Sequence, residues 1–204
     1  MNLLVSAVLG YLLGSVPFAV IVSRAFRLAD PRSFGSGNPG ATNVLRSGSK
    51  AAALLTLIGD AAKGWLAMFI ARKVGAGDTA IALAGLSAFL GHVFPFTLGF
   101  RGGKGVATAL GVLFGFSGAL AGITAAIWLA TAIFTRYSSL AALLAAAAAP
   151  LLAWWLLGNA ETTTVVAAMC AVLIYRHKSN IAKLLAGSEG RIGGPKKPRP
   201  GPPV

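Results

Sequence analysis

Three short segments gather the side chains that could do chemistry. The first runs Ser36-Gly37-Asn38-Pro39-Gly40-Ala41-Thr42-Asn43 and is followed by Arg46. Its glycines allow sharp turns and let backbone N–H groups converge on an anion. Ser36, Asn38, Thr42 and Asn43 add hydrogen-bonding groups, and Arg46 adds a fork suited to phosphate. A helix starting near Thr42 would turn its positive end toward the same anion. An ordinary connecting loop is the alternative reading. The second segment, Gly99-Phe100-Arg101-Gly102-Gly103-Lys104-Gly105, sets two cations among glycines. It lacks the Walker spacing, because Leu98 stands five positions before Gly103 and Gly105 follows Lys104 where Ser or Thr is required. Small anions or phosphate esters suit it, and nothing in it points to ATP. The third segment is Tyr175-Arg176-His177-Lys178-Ser179-Asn180-Ile181. His177 could act as a base or donor near neutral pH, although a lone interfacial histidine is more often structural.

Fewer polar groups stand elsewhere. Asp60 and Lys63 lie one helical turn apart inside an apolar run. They read either as a mutually neutralising pair or as support for the site, since intramembrane charges face a polar interior. His92 reads as a packing or helix-polar contact. Ser138-Ser139 either caps the following helix or contributes to the site. Only five carboxylates exist, and their scatter argues against a paired Asp/Glu catalyst. No metal-ligand cluster and no G-x-S-x-G elbow occur, so neither metal nor cofactor is expected. The H-x4-D signature of acyl-CoA-type glycerolipid acyltransferases is also missing, because Thr97 and Ala182 stand five positions after His92 and His177. Chemistry here must rest on anion binding and positioning.

The elements that hold these segments are membrane spans. The chain is 56% apolar and only 11% charged, about half the charge of a soluble domain. Apolar runs near 20 residues recur, as membrane crossings require: 3–22, 51–71, 79–98, a longer glycine-rich stretch at 106–135, then 140–157 and 161–175. The first run has no Lys or Arg before it and no A-x-A site after it, so it reads as a retained span rather than a cleaved signal. Cys170 is the single cysteine and excludes a disulfide framework.

Charge decides orientation. All but three of the 18 basic residues fall after the first run, after the third, at Arg136, or after the last. The exceptions are Lys63, Arg72 and Lys73. These four basic segments share the cytoplasmic side only if residues 106–135 cross twice. Thirty residues make about 45 Å of helix, so a short hairpin turning near Gly115 to Gly118 is expected. The result is an all-α polytopic protein with seven transmembrane helices, the N-terminus outside and the C-terminus cytoplasmic. Residues 1–187 would form the transmembrane catalytic domain. Residues 188–204, rich in Pro, Gly and basic groups, would form a disordered cytoplasmic tail held near anionic lipid.

Taken together, the motifs resemble one family. Residues 36–43, the run Gly102-Gly103-Lys104-Gly105-Val106-Ala107-Thr108, and His177-x-x-Asn180-Ile181 are similar to the bacterial acyl-phosphate:glycerol-3-phosphate acyltransferases, the PlsY family. Gly14-Ser15-Val16-Pro17-Phe18 and Gly59-Asp60-x-x-Lys63-Gly64 share the likeness, which runs from about residue 10 to 185. The resemblance implies a seven-span enzyme of phospholipid biosynthesis in the bacterial inner membrane, with its site facing the cytoplasm. It implies transfer of an acyl group from acyl phosphate to the sn-1 hydroxyl of glycerol 3-phosphate, giving lysophosphatidic acid and phosphate.

By that resemblance, Ser36, Arg46, Lys104, His177 and Asn180 would be catalytic. Gly37, Asn38, Gly40, Thr42, Asn43, Gly102, Gly103, Gly105 and Ser139 would bind substrate or phosphate, with Asp60 and Lys63 in support. Two cationic glycine loops match two phosphate-bearing substrates. Acyl phosphate carries its own leaving group, so positioning and charge neutralisation would do most of the work, without an acyl-enzyme. Membrane lipids and an acidic acyl carrier protein are the expected partners, the latter drawn by the basic face; nucleic acid is not. A transporter of phosphate or small organic anions is the main alternative, although its motifs would lie near the midplane rather than at one face.

Overall fold

A computed structural model describes residues 2–194, and these form ten α-helices with no strand. The first apolar run forms a candidate membrane span, Leu3–Ala25, that is broken in the middle. It divides into α1 (Leu3–Gly14) and α2 (Phe18–Ala25). Pro17 has no N–H to donate, so the ladder stops there. The carbonyls released at the break are taken up by side chains. Thr97 Oγ1 donates to Ser15 O at 2.6 Å, and Lys63 Nζ donates to Val16 O at 2.8 Å.

The other helices follow the apolar runs. α3 (Ala41–Leu45) is a single turn, and α4 (Lys50–Lys73) starts at an N-cap, Ser49, whose side chain accepts from Ala52 N at 3.2 Å. α5 (Asp78–Val93) ends before a 3-10 turn at Phe96–Leu98. α6 (Val106–Phe116) and α7 (Gly118–Thr135) meet at Ser117, where the hairpin turn was expected. α8 (Ser138–Leu157), α9 (Ala160–Arg176) and the short α10 (Lys178–Leu185) complete the order.

Small residues let the helices close on one another. Gly10 and Gly14 of α1 lie against the carbonyls of Ala84 and Ala88 of α5, and Gly111 of α6 lies against that of Ala61 in α4. A methyl group at any of the three would run into backbone. Met68, Phe89, Val112, Leu120 and Met169 fill the centre. Large apolar side chains such as Leu4, Leu54, Phe134, Leu151 and Trp155 face outward, the pattern of a bundle solvated by lipid.

Among the described residues, five segments are long and apolar enough to cross a membrane: Leu3–Ala25, Lys50–Lys73, Asp78–Leu98, Gly118–Thr135 and Ser138–Leu157. The 11 residues of α6 make only about 16 Å of helix. Its shortness has a structural cause. His92 and Phe89, at the end of α5, lie against Gly103 and Gly105 just before α6. His92 in turn meets Asp60, roughly 15 Å along α4 from its first residue. The connection from α5 to α6 therefore dips into the bundle, and α6 begins well inside it.

One end of the bundle collects residues 26–49, the recessed α5–α6 connection, Arg136-Tyr137 and the α9–α10 junction. The opposite end holds the α6–α7 turn, where Arg72 Nη2 donates to Gly115 O at 3.1 Å. Residues 188–194, which the sequence assigns to the tail, lie against the bundle in the structure. Ile192 N donates to Arg136 O at 2.7 Å, Arg136 Nη2 returns a bond to Ile192 O at 2.9 Å, and Arg191 lies over the Tyr137 ring. Residues 188–194 thus form a strap across the end of the bundle. The remainder of the expected tail, 195–204, lies outside the described residues.

Candidate active site

The recessed segment 102–105 is clamped so that Lys104 projects from a buried glycine backbone. Gly102 N donates to Val93 O at 3.2 Å and Gly103 N to His92 O at 3.1 Å. These carbonyls are available because α5 ends there and the helix has no further N–H to offer them. Gly102, Gly103 and Gly105 are buried against Pro95, the His92 ring and the Phe89 ring, with no room for a side chain. Gly105 also takes a φ of 89°, a conformation glycine adopts without strain. From the other side, Arg176 Nη2 donates to Gly102 O at 3.1 Å and its guanidinium lies over Phe94.

The N–H groups of Gly102 and Gly103 therefore have carbonyl partners within the protein. The first turn of α6 follows directly after Lys104. Its N–H groups have no intrahelical acceptor, and its N-cap, Gly105, supplies no capping side chain.

Lys104 Nζ donates to the side-chain oxygen of Asn180. The Asn180 amide nitrogen donates to Glu189 Oε1 at 2.7 Å, and Ser139 Oγ donates to the same oxygen at 2.7 Å. One array therefore joins the α5–α6 loop, the start of α8, α10 and the strap. Burial, the larger cause, and the neighbouring cations Lys183, Arg46 and Arg176 lower the Lys104 pKa to about 8, while Glu189 opposes them. The ammonium is poised to gain from any anion that arrives.

His177 caps α9 with its imidazole buried. Its Nδ1 lies 2.8 Å from Leu173 O, which fixes the proton on Nδ1 and leaves Nε2 as an acceptor. Burial first, then the positive charge of Lys104 and Arg176, lowers its pKa to about 4 against the opposing Leu173 and Glu189. The ring is neutral through the neutral pH range and is a weak base.

The loop 26–49 divides its residues between architecture and surface. Asn43 was expected to touch substrate, but it is buried and turned inward. Its amide nitrogen donates to Pro31 O at 2.6 Å and to Phe34 O at 3.1 Å, and its oxygen accepts from Ser36 N at 3.1 Å. Gly35, at φ 60°, leaves the space that the Asn43 amide occupies. Asn43 therefore shapes the loop from within. Ser36, Gly37, Thr42 and Arg46 are exposed, while Asn38 and Gly40 are half-buried. Arg46 Nη1 donates weakly to Asn43 Oδ1 at 3.4 Å, and its charge is felt at Lys104. The expected helix beginning near Thr42 is only the five-residue α3, too short for an appreciable dipole.

Asp60 and Lys63 lie beneath the recessed loop, buried and paired at 2.9 Å. Neither belongs to the Lys104 array. His92 Nδ1 stands 3.3 Å from the same Asp60 oxygen. Among the described residues, no group of three or more His, Cys, Asp or Glu side chains could hold a metal ion.

Sequence reasoning missed Glu189, Arg176 and the place of His92. For Glu189 a signal existed: it is one of only five carboxylates, and it stands alone in a basic, glycine-rich stretch.

The comparisons with known proteins agree on one family. The sequence profile described as "Glycerol-3-phosphate acyltransferase" matches residues 4–187. A protein of that name from Laribacter hongkongensis is 58% identical over 201 residues, covering 97% of this chain and 100% of its own. Another from Aromatoleum aromaticum is 58% identical over 196 residues, covering 96% of this chain and 100% of its own. Among solved structures, an integral membrane glycerol 3-phosphate acyltransferase, PlsY, in its glycerol 3-phosphate form is 38% identical. It matches with a TM-score of 0.88, covering 94% of this chain and 96% of that one. The lysophosphatidic acid form of PlsY matches with a TM-score of 0.86 at 37% identity, covering 93% and 94%.

Proposed function

The chain belongs to the glycerol-3-phosphate acyltransferase family, and from that premise we propose that it transfers an acyl group from acyl phosphate to the sn-1 hydroxyl of glycerol 3-phosphate. It is an integral membrane acyltransferase of phospholipid synthesis. The observation that carries the proposed reaction is the half-buried Lys104, joined to Asn180, Glu189 and Ser139 at the start of α6.

The helix start and the ammonium neutralise one phosphate. Arg46, exposed on the neighbouring loop, takes the second with Ser36 and Thr42. Asn180 and His177 Nε2 orient the glycerol hydroxyl. The hydroxyl oxygen attacks the acyl carbonyl carbon, and the bond from that carbon to the phosphate oxygen breaks. Phosphate departs with the electron pair, and Lys104 stabilises its growing charge. The hydroxyl proton passes to a phosphate oxygen, because neutral His177 is too weak a base to hold it. No enzyme nucleophile is needed; what the protein supplies is alignment.

The basic segments gather at this end of the bundle, which supports a cytoplasmic site and, with it, seven crossings and an outside N-terminus in the bacterial inner membrane. The positive rim suits an acidic acyl carrier protein that delivers the donor. The test is donor choice. Purified protein in lipid, given glycerol 3-phosphate, should turn over with palmitoyl phosphate and not with palmitoyl-CoA, and NMR of the product should place the acyl chain on the sn-1 oxygen. Turnover with palmitoyl-CoA alone, or acylation at the sn-2 oxygen, would overturn the assignment.

A further inference from the structure

The recessed glycine loop rests on a buried pedestal, and we propose that His92 at its top is a positioning residue that sets the height of Lys104. The pedestal starts at the break in the first span. Lys63 Nζ donates to Val16 O at 2.8 Å, a carbonyl in the break between α1 and α2 that also accepts from Phe18 N at 3.1 Å. Lys63 pairs with Asp60 at 2.9 Å, and the same Asp60 oxygen lies 3.3 Å from His92 Nδ1. All three side chains are buried. The opposite edge of the imidazole, Nε2 with its flanking carbons, fills the space where a Gly103 side chain would stand.

The contact is therefore a stop. His92 O receives Gly103 N at 3.1 Å and draws the loop down, and the ring edge halts it. Asp60 keeps the ring from swinging aside. Lys104 is the next residue, so any settling of Gly103 carries its ammonium away from Asn180 and from the first turn of α6. Glycine at 103 is required for the same reason, since a methyl group would occupy the ring's place. Displacements near 1 Å are costly when a site works by alignment, as much as about a hundredfold.

This inference rests on the reading of Lys104 as a phosphate ligand, which Lys104→Ala tests alone. The pedestal is tested by suppression. Gly103→Ala should lower kcat/KM about a hundredfold. Adding His92→Ala removes the ring that the methyl group strikes, so the double variant should recover to at least the level of His92→Ala. His92→Ala by itself should raise KM about tenfold for the one substrate whose KM Lys104→Ala also raises, and should lower kcat as well, because Lys104 also stabilises the departing phosphate. If His92→Ala does not fold, His92→Asn serves. Its amide nitrogen overlays Nδ1 and keeps Asp60, while the Nε2 edge is gone. It should show the same KM rise and the same suppression. A double variant no better than Gly103→Ala, or equal KM changes for both substrates, would make His92 a general packing residue and overturn the proposal. Suppression with an unaffected Lys104→Ala would instead keep the pedestal and remove the phosphate reading.

Discussion

Asn180 donates from its amide nitrogen to Glu189 Oε1 at 2.7 Å and turns its amide oxygen to the Lys104 ammonium. A carboxylate cannot donate and an ammonium cannot accept, so these neighbours leave the amide one orientation. Glu189 thereby sets the direction in which Asn180 faces Lys104. Hydrogen bonds to charged groups contribute roughly 1.5–3 kcal/mol. Glu189→Ala should lower kcat/KM by about 10- to 100-fold on that scale, and Glu189→Gln, which can still bond both partners, should lose less. Initial rates on protein checked for thermal unfolding decide this. Wild-type kinetics in Glu189→Ala would make the strap a bystander.

The pH profile should show Lys104. Its free-enzyme pKa is lowered to about 8, so kcat/KM should fall as pH rises through that value and the ammonium loses its proton. Bound phosphate favours the charged form, so the limb in kcat should lie at higher pH. Lys104→Arg should be slower but should lose the limb, because a guanidinium stays charged. Glu189→Gln should move the limb to lower pH, since Glu189 supports the protonated form.

His177, by contrast, should not titrate in the working range. Its pKa is lowered to about 4, and Nδ1 is committed to Leu173 O. His177→Asn should reduce kcat while leaving the acid limb where it is in the wild type. A limb between pH 6 and 7 that vanishes in His177→Asn would restore the histidine as the base; rate profiles over about pH 5–8, the range an ordinary histidine spans, settle it.

Asp60→Asn should be destabilising. It leaves Lys63 buried with its charge partner removed. Breaking a buried pair costs about 3–5 kcal/mol, and replacing both members with apolar or neutral groups costs far less. Asp60→Asn with Lys63→Met should therefore recover much of the unfolding temperature lost by Asp60→Asn. Thermal unfolding in one detergent measures both.

Much of this architecture was legible in the residues. Apolar runs marked the helices, and the Gly115–Gly118 turn fell at Ser117. The basic segments gather at one end, where Lys104, Asn180 and Ser139 come together. What escaped was tertiary. Pro17 sits in an apolar run, and Lys63 and Thr97 reach across from other elements to carbonyls at its break. Asn43 has the composition of a ligand-binding residue, yet its amide closes turns whose partners lie up to twelve positions away. Gly102 and Gly103 looked like free donors because the end of α5 that receives them is invisible in a local motif. Glu189 carried a compositional signal, but its partners Asn180 and Ser139 lie on other elements and could not be read from the local sequence.

The most direct test of the account is phosphate release by wild type and Lys104→Ala, each shown to be folded in lipid, with palmitoyl phosphate and glycerol 3-phosphate supplied together and singly. The account predicts rapid release by wild type only when both substrates are present, and a loss of at least about a hundredfold in Lys104→Ala, the scale set by removing a principal charge stabiliser. Release by Lys104→Ala at the wild-type rate would contradict it, because the reaction would then not run on the recessed loop.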